Sequence, residues 1–392
     1  VGSEMCIRDS SGEGALQRLD TLASHQVEAR DGALLTQGLA ESLSRLRAQA
    51  MLSSDTTERA GIMWRVSLIE MAAMAGAPLG QVCTAADALQ QALAARAWRQ
   101  FTPDLPGGRL LLADDGQLGV GIRMTETGLE LVSLYDMQTQ REMLAAASDL
   151  FALQLSNADG STVTLGSSEG WQRWNARTAG GDGSAQIIMT LEGPLHDGLA
   201  TMRAELTCAI SGGASRWRLS VTNDTAWSID QVVMPVLRGV RIGADSNDDT
   251  LYVPHGYGRA FPGGTGARYR GYYPSGSCAL PLLIVTDERS GLYFAAHDTG
   301  AATKQMVTAS ASSGVPLSCE VPAPDASVAG NDFETPGEMV VARIDGGWYP
   351  ATQKYRAWLQ ENAPWWPEGD PDYDRPDRPA WLNDIAAWVL YG

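Results

Sequence analysis

The sequence predicts a mainly β chain: a large antiparallel β-supersandwich, preceded by an α-helical segment and followed by one further helix. Three observations predict it. Apolar residues recur at helical spacing up to about Gln100. After a Pro- and Gly-rich stretch the period changes from 3.6 to 2. Helical spacing then returns near the C-terminus, between Pro350 and Pro364.

The helical segment is assigned to residues 11–101. Leu35, Leu39, Leu43, Leu46 and Ala50 form one apolar stripe. Ile62–Ala75 is apolar on most sides, as expected of a buried helix, and the Ala-rich run Ala85–Trp98 favours a third helix. The stretch Thr102–Gly108 holds two prolines and two glycines and reads as a boundary. Residues 108–346 are expected to form the sandwich. Leu118, Val120, Ile122 and Met124 alternate with small or polar residues. So do Met202, Ala204, Leu206, Cys208 and Ile210. Ser211-Gly212-Gly213-Ala214 turns the chain, and Trp217, Leu219 and Val221 alternate on the return. The opposite face of this hairpin carries Arg203, Glu205, Arg216 and Arg218, as on a sheet wet on one side. Ten further strands are expected between Leu129 and Ile344, among them Leu129–Tyr135, Thr162–Leu165 and Met339–Ile344, too many for an immunoglobulin-sized domain of about seven strands.

Composition narrows the function. With 44% hydrophobic and 19% charged residues the chain is globular. A net charge of −17 without a basic stripe argues against a nucleic-acid partner. No run of about twenty apolar residues is present, so no membrane span is expected. The five cysteines show no CxxC or Cys/His spacing, and neither a metal nor a cofactor is expected. Asp370-x-Asp372-x-Asp374 and Asp245-x-Asn247-x-Asp249 alternate oxygen ligands, but both lack the Gly and Glu that complete a calcium loop. The first ten residues, Val1–Ser10, read in one frame like a translated sequencing adapter and are set aside.

The C-terminal stretch carries a resemblance. Asp345-Gly346-Gly347-Trp348 leads into a helix with Tyr355-Arg356-Ala357-Trp358, then Pro364-Trp365-Trp366. A linker helix is assigned to 347–367, and 368–392 ends in the apolar run Ile385–Tyr391, expected as a buried strand. This order resembles bacterial glycoside-hydrolase-like proteins in which a galactose-mutarotase-type supersandwich leads through a helical linker into a (β/α)8 barrel. The resemblance implies that 368–392 is the linker and first strand of a barrel otherwise missing. It also implies that no catalytic residue lies in this chain and that the missing C-terminal barrel is its partner. The chain would then be the non-catalytic N-terminal fragment of a hydrolase acting on a carbohydrate substrate. Two other readings fit the order of elements: a polysaccharide lyase or epimerase with its site in the helices and sandwich, and a carbohydrate-binding scaffold without activity.

The densest polar-aromatic stretch is Tyr252–Tyr273, which reads as a long Gly-rich loop. Aromatic faces suit the C–H patches of sugars, and Arg and His suit their hydroxyls. The expected substrate-binding residues are His255, Tyr257, Arg259, Tyr269 and Tyr272. His297 and Asp298 are the other neighbouring acid-base candidates, expected to be structural at a strand end.

Overall fold

The computed structural model describes residues 35–181, 183–242, 247–264, 266–309 and 314–366. Residues 1–10, 368–392 and the run Ile385–Tyr391, with the expectations placed on them, lie outside the described residues.

The first helix, α1, occupies 35–52 of the described chain and buries Leu39, Leu43, Leu46 and Ala50. Helix α2 (Thr56–Met74) starts at Asp55, whose carboxylate accepts from the Thr57 and Glu58 amides at 2.8 and 3.3 Å. Helix α3 (Leu79–Ala94) packs beside it. The stretch Thr102–Gly108 is a tight turn in which Asp104–Leu105 pairs with Gly108–Arg109, and Phe101 and Leu105 enter the helical core.

The strands build antiparallel sheets of six, ten and six strands. The first, small sheet runs from Asp104 to Asp149 and is buried on both faces. Its strand Gly108–Asp114 sends Leu110 and Leu112 toward the helices and Leu111 and Ala113 into the sandwich. The two-residue period of a strand produces this division. The ten-stranded and second six-stranded sheets share one core, which includes Phe151, Leu206, Trp217, Val232, Phe294 and Leu317. The hairpin Arg203–Ser211/Ala214–Thr222 forms in the expected register, with Cys208 opposite Trp217.

The outer face of the ten-stranded sheet is divided. One half is a charge ladder in which Arg173 and Arg203 lie in register on either side of Glu192. The other half is apolar and is covered by α4 (Trp348–Asn362). Ala351, Tyr355 and Leu359, spaced by four, meet Tyr293, Val340 and Ile344 there. Each large side chain so buried contributes about 1.5–3 kcal/mol. Among the described residues no helix is long and apolar enough to cross a membrane.

Candidate functional site

The stretch Tyr252–Tyr273 is not the long loop expected. It opens on the end of the strand Thr250–Val253, which pairs with Arg259–Pro262 at one edge of the ten-stranded sheet. The chain then crosses to Arg268–Tyr273 at the edge of the second six-stranded sheet. Its glycines serve the turns rather than a disordered loop. Gly256 and Gly258 adopt φ of 60° and 93°, which an L side chain disfavours. Between them Tyr257 projects fully into solvent.

The hairpin tip and the start of α4 enclose an open hollow of about 440 Å³. Leu280, Leu282 and Ile284 line it as aliphatic surface, with Tyr252, Tyr257 and Arg259 from the hairpin and Trp348 and Thr352 from α4. Two of the expected residues, Tyr257 and Arg259, therefore meet in one place, and Trp348 joins them from far along the chain. The other three lie elsewhere. His255 is half-buried and packs edge-on against Tyr269, with ring centroids 6.2 Å apart. Tyr269 points inward in its strand, is buried in the sandwich core and donates its hydroxyl to the Ser277 carbonyl at 2.8 Å. Tyr272 points outward on the other sheet. The sequence marks Trp348 only as one of the tryptophans crowded near the C-terminus, and the docking of α4 is what brings it to the hairpin.

The hollow suits a ligand with an apolar face and a few hydroxyls. Its surface is chiefly aliphatic and aromatic, and Arg259 supplies hydrogen-bond donors at the edge. His297 and Asp298 lie away from it. The Asp298 carboxylate takes Lys304 Nζ at 2.7 Å and the amides of Gly300 and Ala302 at 2.8 and 2.7 Å. His297 lies under α4, with Nε2 joined to the Tyr293 hydroxyl at 2.8 Å. Burial, reinforced by the charges of Arg216 and Lys354, lowers its pKa to about 3, so the ring is neutral at pH 7.

The cleft between the helices and the small sheet is walled by apolar residues such as Leu68, Met71 and Leu110. Arg123 and Glu142 are the charged groups on its lining. Both are engaged, Arg123 with Glu130 at 2.9 Å and Glu142 with Ser133 at 2.5 Å. Of the two acidic patterns, Asp249 is buried and accepts from the Ile242 amide at 3.0 Å. Burial raises its pKa to about 6. Asp245 and the stretch Asp370–Asp374 lie outside the described residues.

No family model matches the chain. Over 163 residues it is 29% identical to a curated protein of Monosiga brevicollis named "Putative glycoside hydrolase 22789", a match covering 40% of this chain and 13% of that protein. Similar solved structures include an α-N-acetylgalactosaminidase from Bifidobacterium bifidum in complex with GalNAc, at 12% identity and a TM-score of 0.46, covering 62% of this chain and 38% of that one. An α-galactosidase from Lactobacillus brevis matches at 9% identity and a TM-score of 0.42, covering 64% and 42%. One from Geobacillus stearothermophilus, in complex with raffinose, matches at 11% and 0.43, covering 64% and 43%. The chain thus spans 13% of its curated relative's length and about two-fifths of these solved structures.

Proposed function

We propose that this chain is the non-catalytic N-terminal part of a carbohydrate-active glycoside hydrolase, with a sandwich that braces a (β/α)8 barrel acting on glycosidic bonds. The observation that carries this reading is the 163-residue similarity to the Monosiga brevicollis protein. The surface around α4 agrees with it. Trp348, Tyr349 and Trp365 are exposed on or just beyond that helix, and large aromatics at a surface are what a neighbouring domain covers. The hollow bearing Tyr257, Arg259 and Trp348 would then lie beside the substrate cleft and contact the sugar.

In such an enzyme two carboxylates flank the scissile bond, as general acid and as nucleophile or base. They would stand at the C-terminal ends of barrel strands. This chain would contribute binding and orientation.

The test compares the 392-residue chain with a longer protein that contains it and a downstream barrel, using aryl glycosides. The longer protein should turn them over and the chain alone should not. In the longer protein, Tyr257→Ala or Arg259→Ala should raise KM with little change in thermal stability. Turnover by the chain alone, abolished by His297→Gln, would overturn the reading in favour of a site within the sandwich.

A further inference from the structure

Helix α4 closes over a buried imidazole. It supplies the cover of His297: Trp358 stacks on the ring, Tyr355 borders it, and Lys354 adds a positive charge nearby. On the sheet side, Nε2 is joined to the Tyr293 hydroxyl at 2.8 Å. Nδ1 is buried and has no hydrogen-bond partner among the described residues. Arg216 adds a second positive charge from the strand Ala214–Thr222. The neighbouring carboxylates are engaged. Glu338, opposite His297 in the sheet, pairs with Arg218 at 3.1 Å and Arg216 at 3.9 Å, and Asp298 holds Lys304.

We propose that α4 is an acid-released strap: protonation of His297 lifts the helix from its sheet while the sandwich stays folded, and so takes apart the hollow beside it. A proton on the ring puts an N–H on both nitrogens, and the one at Nδ1 has no acceptor. It also sets a positive charge near Arg216 and Lys354 in a site closed to water. Undocking relieves both at once, because Tyr355 and Trp358, which shut water out, belong to the helix. The apolar contacts of α4 form a small cluster distinct from the sandwich core, so the helix can leave without opening that core. Its departure removes Trp348 and Thr352 from the hollow and strains the bond from Trp365 Nε1 to the Thr299 carbonyl, 2.8 Å long. Burial fixes the direction. The covered ring takes its proton only near pH 3 and an uncovered one near its ordinary 6.5. Docking is therefore strongest above pH 6.5 and weakens as pH falls, by up to about tenfold per pH unit.

This inference concerns the helix itself and rests neither on a ligand for the hollow nor on a downstream barrel. Hydrogen exchange of the 392-residue chain, read by mass spectrometry and corrected for the intrinsic pH dependence of exchange, tests it. Between pH 7 and 4.5 the protection of α4 should fall roughly tenfold to hundredfold, while the hairpin Arg203–Thr222 keeps its protection. His297→Phe leaves a ring against Trp358 but no titrating group, and should hold α4 protection level over this range. Lys354→Met removes one repelling charge at a half-buried position and should make the fall shallower. Protection of α4 that ignores pH, that falls together with the hairpin, or that falls as steeply in His297→Phe as in the parent would each overturn the proposal. If His297→Phe does not fold, an unchanged slope in Lys354→Met does the same.

Discussion

The imidazole of His297 lies nearly flat against the indole of Trp358, with ring centroids 4.2 Å apart and planes inclined by 23°. The contact joins the end of the strand Ser290–His297 to the helix that covers it, and Tyr355 borders the same imidazole at 5.8 Å. His297 is therefore held neutral by burial while α4 stays docked.

This makes the docking of α4 pH-sensitive in a defined direction. The folded pKa of about 3 lies below the ordinary value of 6.5, so the unfolded chain binds a proton first as pH falls. Full stability is present above pH 6.5 and is lost progressively as pH falls toward 3, at up to about 1.4 kcal/mol per pH unit from this group. Denaturant melts of the parent and His297→Gln chains between pH 7 and 4.5 check this. The parent should lose stability more steeply, and parallel curves would show that His297 is not the sensor.

Trp64, Ser133 and Glu142 form a buried relay beneath the helices. Trp64 Nε1 donates to Ser133 Oγ at 3.0 Å, and Ser133 Oγ donates to Glu142 Oε2 at 2.5 Å. The Leu134 and Leu144 amides donate to Glu142 Oε1 at 2.8 and 3.0 Å, while burial raises the pKa of the carboxyl. Ser133→Ala strands the Trp64 N–H and leaves Glu142 Oε2 without its donor, and should cost about 1–3 kcal/mol. Equilibrium unfolding in urea measures it, and a loss within error of zero would mean that water replaces the hydroxyl.

Much of the fold was legible because its strands obey the two-residue period. The expected strands at Leu129–Tyr135, Thr162–Leu165 and Met339–Ile344 appear at Leu129–Asp136, Thr162–Gly166 and Glu338–Asp345. The strand Trp171–Gly181 was not legible. It lies at a sheet edge, its side chains are mostly polar, and no alternating apolar face marks it. Tyr252–Tyr273 read as a loop because six glycines and two prolines punctuate it every few residues. Of the hollow, Tyr257 and Arg259 were visible as a sugar-suited pair. Trp348 stood out only as one of the C-terminal tryptophans and the aliphatic lining not at all, since they come together only through tertiary docking.

Arg343 couples two sheets. Its Nε donates to Asp136 Oδ1 at 3.0 Å on the small sheet, and its guanidinium also pairs with Asp345 on its own strand. Arg343 and Asp136 are both buried. Among the described residues, Asp136→Ala leaves the guanidinium with only the exposed Asp345 as an ionic partner, and it should cost about 3–5 kcal/mol. The double variant Asp136→Leu with Arg343→Met should recover part of that loss, because it removes both charges together. Thermal denaturation of the two variants separates the outcomes. A double variant less stable than the single would mean that the pair stabilises beyond its desolvation cost.

The helices and the small sheet should behave as one folding unit. Trp64 stacks on Tyr135, with centroids 6.0 Å apart, and Leu110, Leu112 and Tyr135 face the helices rather than the sandwich. Four such side chains contribute roughly 6–12 kcal/mol by burial, an upper estimate but comparable to the whole stability of a domain at about 5–15 kcal/mol. A chain beginning at Thr102 would expose all three sheet residues together and lose the donor to Ser133. It should elute as aggregates on size exclusion, whereas the 392-residue chain should elute as a defined species and show the helices and small sheet melting in one transition. A soluble, cooperatively folded product starting at Thr102 would show that the sandwich stands without its helices and that the shared core adds little.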